Sequence, residues 1–137
     1  MKGRHGGADA LDNFMRDYWA ATREHPFERR SRVWVIGQPP DERYVVTEMR
    51  PFDGQIHISS ILSPTRERGH ASAVLKQICA LADRHGVVLD GAPVPFDRQG
   101  GRTQEELEAW YRRHGFENDD RYENDDEPVM RRLPGQK

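Results

Sequence analysis

The chain has 137 residues, of which 35% are hydrophobic and 32% are charged, and its formal net charge is −2 with neutral histidines. This length fits one domain, and the near-neutral charge argues against general nucleic-acid binding, which needs a basic surface. Cys79 is the single cysteine, which excludes an internal disulfide, and the sequence has no Cys/His spacing typical of a metal site. Without a signal peptide or a bilayer-spanning apolar run, we expect a cytoplasmic protein that has no membrane partner.

The first half of the chain predicts one helix and then an antiparallel meander. We expect residues 1–7, which are rich in glycine and basic residues, to be disordered. Leu11, Phe14, Met15 and Tyr18 then follow the spacing of one helical face. Three short apolar runs predict strands, with an Asp53-Gly54 turn signal before the last of them: Val33–Ile36, Tyr44–Met49 and Ile56–Leu62.

The second half changes to a helical period from Ala71 to Ala82, with Gly86 as a natural terminator. Val87–Leu89 predicts a strand immediately afterwards, and the order strand, helix, strand predicts a parallel crossover. Thr103–Glu106 has the spacing of a capping box and opens another helix. Further strands are predicted at Phe116 and at 129–133, and residues 134–137 are expected to be a disordered tail.

A short segment before the second helix has the composition of a phosphate site. The residues Arg66-Glu67-Arg68-Gly69-His70-Ala71 lie between a strand and a helix. A helix N-terminus offers unpaired N–H groups and a positive partial charge to an anion, and glycine lets the backbone approach a phosphate closely. Arginines can add charge-assisted hydrogen bonds. A solvated basic turn is the alternative interpretation of these six residues when they are taken alone.

Two further segments support a binding role for Arg66–Ala71. That segment fits a Gln/Arg-x-x-Gly-x-Gly/Ala pyrophosphate motif. Leu107–Phe116 fits an aromatic-Tyr-x-x-x-Gly-Phe helix end, and Pro128–Arg132 is similar to a closing strand. In this order and spacing the chain resembles the GNAT superfamily of acyl-CoA-dependent N-acyltransferases, over roughly residues 30–133. The resemblance implies one α/β (α+β) domain over residues 1–137, with a mixed, mainly antiparallel sheet. That sheet would be flanked by helices and splayed between its fourth and fifth strands at the acyl-CoA site.

The same resemblance implies residue roles. Backbone groups that pair with the pantetheine arm of acetyl-CoA would come from Ile61, Leu62 and Ser63. Pyrophosphate contacts would come from Arg66, Arg68, Gly69, His70, Ala71 and Ser72. Tyr111 matches the position of a general acid that protonates the departing CoA thiolate, a role that suits a phenol neutral at pH 7.

The sequence identifies the general base less clearly than the general acid, because the strand Ile56–Leu62 lacks the glutamate that several protein-acetylating members of the family use. His57 can take a proton from an ammonium group, since histidine titrates near neutrality, although an ordinary strand histidine is the alternative. Glu48 and Asp90 are other candidate bases on neighbouring strands. We expect Cys79 and the three tryptophans to be core residues.

The segment 117–127 is strongly acidic and contains Glu-Asn-Asp-Asp twice. It lacks the glycine and spacing of an EF-hand, so we expect no metal there. A solvated loop is one interpretation, and an acidic rim that attracts a cationic acceptor is the other.

These observations predict an N-acetyltransferase that moves an acetyl group from acetyl-CoA to a primary amine by direct attack in a ternary complex, without a metal. The acceptor is a small molecule or a protein lysine or N-terminus, nucleic acid is not expected as a partner, and a homodimer is compatible with the resemblance. The alternative is a catalytically weak protein that keeps the fold and docks on a macromolecular partner.

Overall fold

A computed structural model describes residues 8–63, 69–92, 103–119 and 129–135 of the chain. Arg66, Arg68 and most of the acidic segment lie outside these ranges, as do residues 1–7 and 136–137. The described part is a mixed α/β fold with a seven-stranded, mostly antiparallel sheet and three helices. The predicted fold class is thereby confirmed.

The helices begin and end near the residues that the sequence indicates. Their bounds are α1 Ala8–Ala21, α2 His70–His85 and α3 Gln104–Arg113. Gly86 ends α2 in the left-handed conformation, with φ of 66°. Thr103 and Glu106 form the predicted capping box, in which each side chain accepts a hydrogen bond from the other residue's backbone N–H.

The strands are β1 Arg23–Glu24, β2 Arg32–Ile36, β3 Arg43–Phe52, β4 Gln55–Leu62, β5 Leu89–Gly91, β6 Glu117–Asn118 and β7 Met130–Arg132. Their order in the sheet is β1-β2-β3-β4-β5-β7-β6. Within the described ranges, β4 and β5 are the one parallel pair, and they precede and follow α2 as the predicted crossover requires.

The sheet has two unlike faces. Its buried face carries Trp34, Thr47, Ile58 and Arg132, and side chains of the helices pack on it. The hydroxyl of Tyr18 in α1 bonds Thr47 Oγ1 at 2.8 Å, and Arg132 contacts both α2, through Asp83, and the α3 C-cap, through the His114 carbonyl.

The opposite face, which we call the open face, has no helix on it among the described residues. By strand register it carries Tyr44, Glu48 and Phe52 of β3, His57 of β4 and Asp90 of β5. Tyr44 and Phe52 are 44% and 54% exposed, in contrast to the fully buried Thr47. This face is therefore the described surface from which a second molecule can reach the centre of the sheet.

A bulge in β4 lies next to the point where β4 and β5 separate. Met49 pairs with Ile58 and Glu48 pairs with Ser60, so Ser59 is an extra residue in β4. Such a bulge bends and twists the strand that carries it. The parallel pairing ends one residue earlier, at Ile58 and Gly91, while β4 continues to Leu62. We call this point of separation the fork.

Three details differ from the sequence prediction. The fifth strand begins at Leu89 instead of Val87, although the carbonyl of Val88 already accepts a hydrogen bond from Ile56 N at 2.9 Å. The two-residue β1 had no visible pattern. Trp19, expected in the core, is 49% exposed, and the Arg32 guanidinium lies over its ring, 3.9 Å from the ring centroid.

Gly91 sets how closely the two strands approach at the fork. A Cβ added to this residue would lie 3.2 Å from the carbonyl oxygen of Ile58, which is backbone and cannot rotate away. We predict that Gly91→Ala lowers the free energy of unfolding by about 1–3 kcal/mol, as overpacking typically does. Urea denaturation measures the change. Ser59→Ala on the exposed bulge is the control, and a neutral Gly91→Ala would contradict the tight approach.

Candidate functional site

The N-terminus of α2 is free of side-chain caps among the described residues. Gly69 precedes the helix with φ of 75° and ψ of 17°, and no side chain caps the first turn. The first intrahelical bond runs from Ala73 N to the Gly69 carbonyl, at 2.9 Å. The N–H groups of His70, Ala71 and Ser72 thus precede the regular helical bonding pattern and are oriented for an anion. No acidic residue lies in this turn to oppose one.

The edge of β4 beyond the fork can accept another extended segment. Ile61 and Leu62 pair with Thr47 and Val46 of β3, and on their other side no strand partner is present among the described residues. Because α2 runs back from the carboxyl end of β4, its N-terminus lies at the same end of the sheet. The predicted pantetheine residues and the described pyrophosphate residues, from Gly69 to Ser72, therefore belong to one region. Arg66 and Arg68 lie outside the described residues.

Across the last parallel pairs, β4 and β5 bring three polar side chains together on the open face. His57 Nδ1 lies 2.6 Å from Asp90 Oδ1, and Gln55 Nε2 donates to Asp90 Oδ2 at 3.0 Å. The side chains of His57 and Asp90 are 29% and 11% exposed, so the imidazole is the outer member of the pair. Two candidate bases that the sequence offered as alternatives are thus hydrogen-bonded to each other.

Tyr111 lies in an aromatic cluster within the core. Its ring centroid is 5.0 Å from that of Phe116 and 5.1 Å from that of Trp110, and the residue is 7% exposed. Burial raises the pKa of its phenol to about 12, and the nearby Cys79 adds to the rise. Among the described residues, none accepts a hydrogen bond from this hydroxyl, and no hydrogen bond joins it to His57.

Helix α3 is tied to the first turn of α2 by a bond that the sequence did not indicate. Trp110 Nε1 donates to Ser72 Oγ at 2.7 Å, which links the two motifs of the predicted cofactor site. The residue Gln55 was also missed, because a glutamine at the start of a strand has no distinguishing pattern. Only its side-chain hydrogen bond to Asp90 reveals its role.

Cys79 is buried in α2, as expected, and is 7% exposed. Burial raises the pKa of its thiol to about 11, an effect that the positive charge of Arg132 opposes. A thiol in this state is almost entirely protonated at neutral pH and is a poor nucleophile. Its position gives no support to a covalent cysteine intermediate.

Within the described ranges, no group of three or more His, Cys, Asp or Glu side chains is arranged to hold a metal ion. None of the described helices has the length and apolarity needed to cross a membrane. The acidic segment contributes only Glu117–Asp119 to the described residues, so its two interpretations stay open.

Comparison with known proteins shows similarity at the level of the fold. No protein-family model matches the chain, and no curated protein matches it. Among solved structures, the crystal structure of the anti-CRISPR protein AcrVA5 is similar, with a TM-score of 0.52 and 20% identity. The match covers 72% of this chain and 96% of that chain. At this identity the likeness concerns the fold alone.

The environment of Tyr111 predicts an unusual stability result. Because its hydroxyl is buried without a described partner, Tyr111→Phe should leave the free energy of unfolding unchanged or raise it by up to about 1 kcal/mol. Tyr18→Phe is the matched control, since Tyr18 is 1% exposed and its hydroxyl bonds Thr47 Oγ1 at 2.8 Å. That control should lose about 1–2 kcal/mol. A comparable loss in Tyr111→Phe would reveal a partner for its hydroxyl.

The raised pKa of Cys79 predicts slow alkylation. At pH 7.5 iodoacetamide should leave the native protein unmodified over times that fully modify it in guanidinium chloride, since thiolate is the reactive form. Mass spectrometry measures the modification. Ala80→Cys, at the exposed neighbouring position of α2, is the control and should react quickly at its new thiol. Equally fast reaction of native Cys79 would contradict its burial.

Proposed function

We propose that this protein is an N-acetyltransferase that transfers an acetyl group from acetyl-CoA to a primary amine by direct attack. The observation that carries the proposal is the combination of the fork with the uncapped N-terminus of α2. An extended arm can pair with the edge of β4 at Ile61 and Leu62, which has no strand partner among the described residues, while its phosphates meet the helix start. The GNAT-like motifs at Arg66–Ala71 and Leu107–Phe116 support the same assignment.

In this proposal Ile61, Leu62 and Ser63 hold the pantetheine arm through their backbone. The first turn of α2, from Gly69 to Ser72, holds the pyrophosphate, with Arg66 and Arg68 adding charge. A left-handed φ of 75° at Gly69 suits this role, since a Cβ there would meet no atom of the described residues within 4 Å, its chain neighbours aside. The space beside Gly69 is where we propose the phosphates bind.

The chemistry requires one proton acceptor and stabilisation of the leaving sulfur. His57 takes a proton from the ammonium group, and the resulting amine attacks the thioester carbonyl carbon. A C–N bond forms and the C–S bond breaks, so that CoA leaves as a thiolate and the second amine proton ends on the sulfur. Holding the amine and the thioester together at the fork supplies much of the rate enhancement.

Tyr111 is proposed to donate a hydrogen bond to the departing sulfur. A phenol with a pKa of about 12 is fully protonated at neutral pH and can donate. A thiol has a reference pKa of about 8.5, which is lower than that of this phenol. Complete transfer of the phenol proton to the thiolate is therefore unfavourable. The hydrogen bond stabilises the developing negative charge without complete transfer.

A second candidate function is docking on a macromolecule without turnover. Exposed apolar side chains on the open face favour it: Tyr44, Phe52 and Leu62 are 44%, 54% and 47% exposed. Acetyl-CoA calorimetry and CoA release over a panel of amines and peptides separate the two functions. Binding without release favours docking, and no binding at millimolar acetyl-CoA removes the enzyme proposal.

Two glycines at opposite ends of α2 give a matched test of the cofactor site. Gly69 and Gly86 both have left-handed φ, and both have open space where a Cβ would stand. Gly69→Glu and Gly86→Glu should therefore carry similar backbone strain. We predict that only Gly69→Glu weakens acetyl-CoA binding, by at least about tenfold or 1.4 kcal/mol, because its carboxylate occupies the phosphate position. Calorimetry measures Kd, and equal affinities would exclude this helix N-terminus.

Tyr111→Phe tests the leaving-group role. We predict that turnover falls by about 10²-fold or more while acetyl-CoA affinity is retained, as for loss of a donor to developing charge. Measurement of kcat by CoA release, beside calorimetry, separates the two quantities. Unchanged turnover would leave Tyr111 as a core residue.

A further inference from the structure

We propose that Gln55, Asp90 and His57 form a hydrogen-bonded chain that makes His57 Nε2 the proton-accepting atom, with Asp90 and Gln55 as positioning residues. The inference rests on the proposed function, because it assigns the atom of His57 that takes the proton. It depends on contacts between β4 and β5 that are separate from the cofactor region.

The tautomer follows from the chemistry of the two hydrogen bonds. An ionised carboxylate only accepts hydrogen bonds, so the 2.6 Å contact with Asp90 Oδ1 places the proton on His57 Nδ1. A neutral imidazole has one N–H, and Nε2 therefore keeps its lone pair. This unprotonated nitrogen is the one available to an incoming ammonium group.

Gln55 fixes the second oxygen of the same carboxylate. Its Nε2 donates to Asp90 Oδ2 at 3.0 Å, and Gln55 and Asp90 are each 8% exposed. A carboxylate held at both oxygens cannot rotate freely, and the low dielectric of a buried position strengthens its bond to the imidazole. The orientation of the ring is thus set by β4 and β5 together, since His57 lies directly opposite Asp90 in the parallel register. Gln55 lies two residues earlier in β4 and reaches Asp90 through its side chain.

The side-chain exposure of His57 and Asp90 indicates from which direction the acceptor amine approaches. The Asp90 side chain is 11% exposed and that of His57 is 29% exposed, so the chain runs from the sheet outward to the open face. An amine would reach His57 from this face, while the cofactor phosphates bind at the helix α2 start. The thioester would meet the amine at the fork, between the two.

Nuclear magnetic resonance tests the tautomer without any need for activity. Long-range ¹H–¹⁵N spectra of histidine-labelled protein, at a pH where the imidazole is neutral, distinguish Nδ1–H from Nε2–H, and His57→Gln assigns the signals. We expect the Nδ1–H form in the full-length protein. Asp90→Asn should raise the Nε2–H fraction at least several-fold, because an amide can donate as well as accept. A predominant Nε2–H form in the unmodified protein would overturn the proposal.

Turnover supplies the second readout. Asp90→Asn should lower kcat at least tenfold with the KM for acetyl-CoA unchanged, and Gln55→Met should lower it by a smaller factor. Glu42→Gln is the control and should retain kcat and the His57 tautomer, because it removes a carboxylate just before β3 whose hydrogen bond is to the Tyr44 hydroxyl. Loss of kcat in Glu48→Gln with full activity in His57→Gln would assign the base to Glu48 and overturn the inference. An inactive parent protein with the Nδ1–H tautomer intact would refute the proposed function and leave the hydrogen-bonded chain standing.

Discussion

The extra residue at Ser59 is the constraint on which the rest of the site depends. The bulge directly follows the last parallel pair of β4 and β5, at Ile58 and Gly91, and a bulge of this kind bends and twists its strand. A buried sheet normally satisfies every backbone donor and acceptor. Beyond the fork, Ile61 and Leu62 have no strand partner on the β5 side among the described residues, so this edge can accept another extended segment.

The fork also separates two chemical environments. On one side, the helix α2 start presents N–H groups and the positive end of its dipole, which favour anions. On the other side, the open face carries the hydrogen-bonded chain of Gln55, Asp90 and His57, with apolar and aromatic side chains around it. These two environments fit a substrate that is anionic at one end and meets an amine at its other end. The bond between Trp110 and Ser72 then connects the helix start to α3, which carries Tyr111.

The sequence predicted the local parts of this arrangement well. Helix α3 begins at its capping box because both of its hydrogen bonds join residues three apart. Gly86 ends α2 because a left-handed residue is needed there. The sequence placed β5 two residues early, since the apolar run Val87–Leu89 records burial and does not record where pairing begins. Trp19 was misplaced for a related reason: its contact with Arg32 covers the ring without burying it in the core.

What the sequence determined by itself is therefore the set of elements, their caps and the two motifs that carry the family resemblance, because each depends on neighbours a few residues away. The tertiary structure alone decided that His57, Asp90 and Gln55 are hydrogen-bonded. Asp90 lies 33 positions from His57 and 35 positions from Gln55 along the chain. Only the parallel pairing of β4 and β5 brings these side chains into contact. It also decided which sheet face carries no helix among the described residues. That depends on where the described helices pack, and the alternation of a strand is the same whichever face they cover.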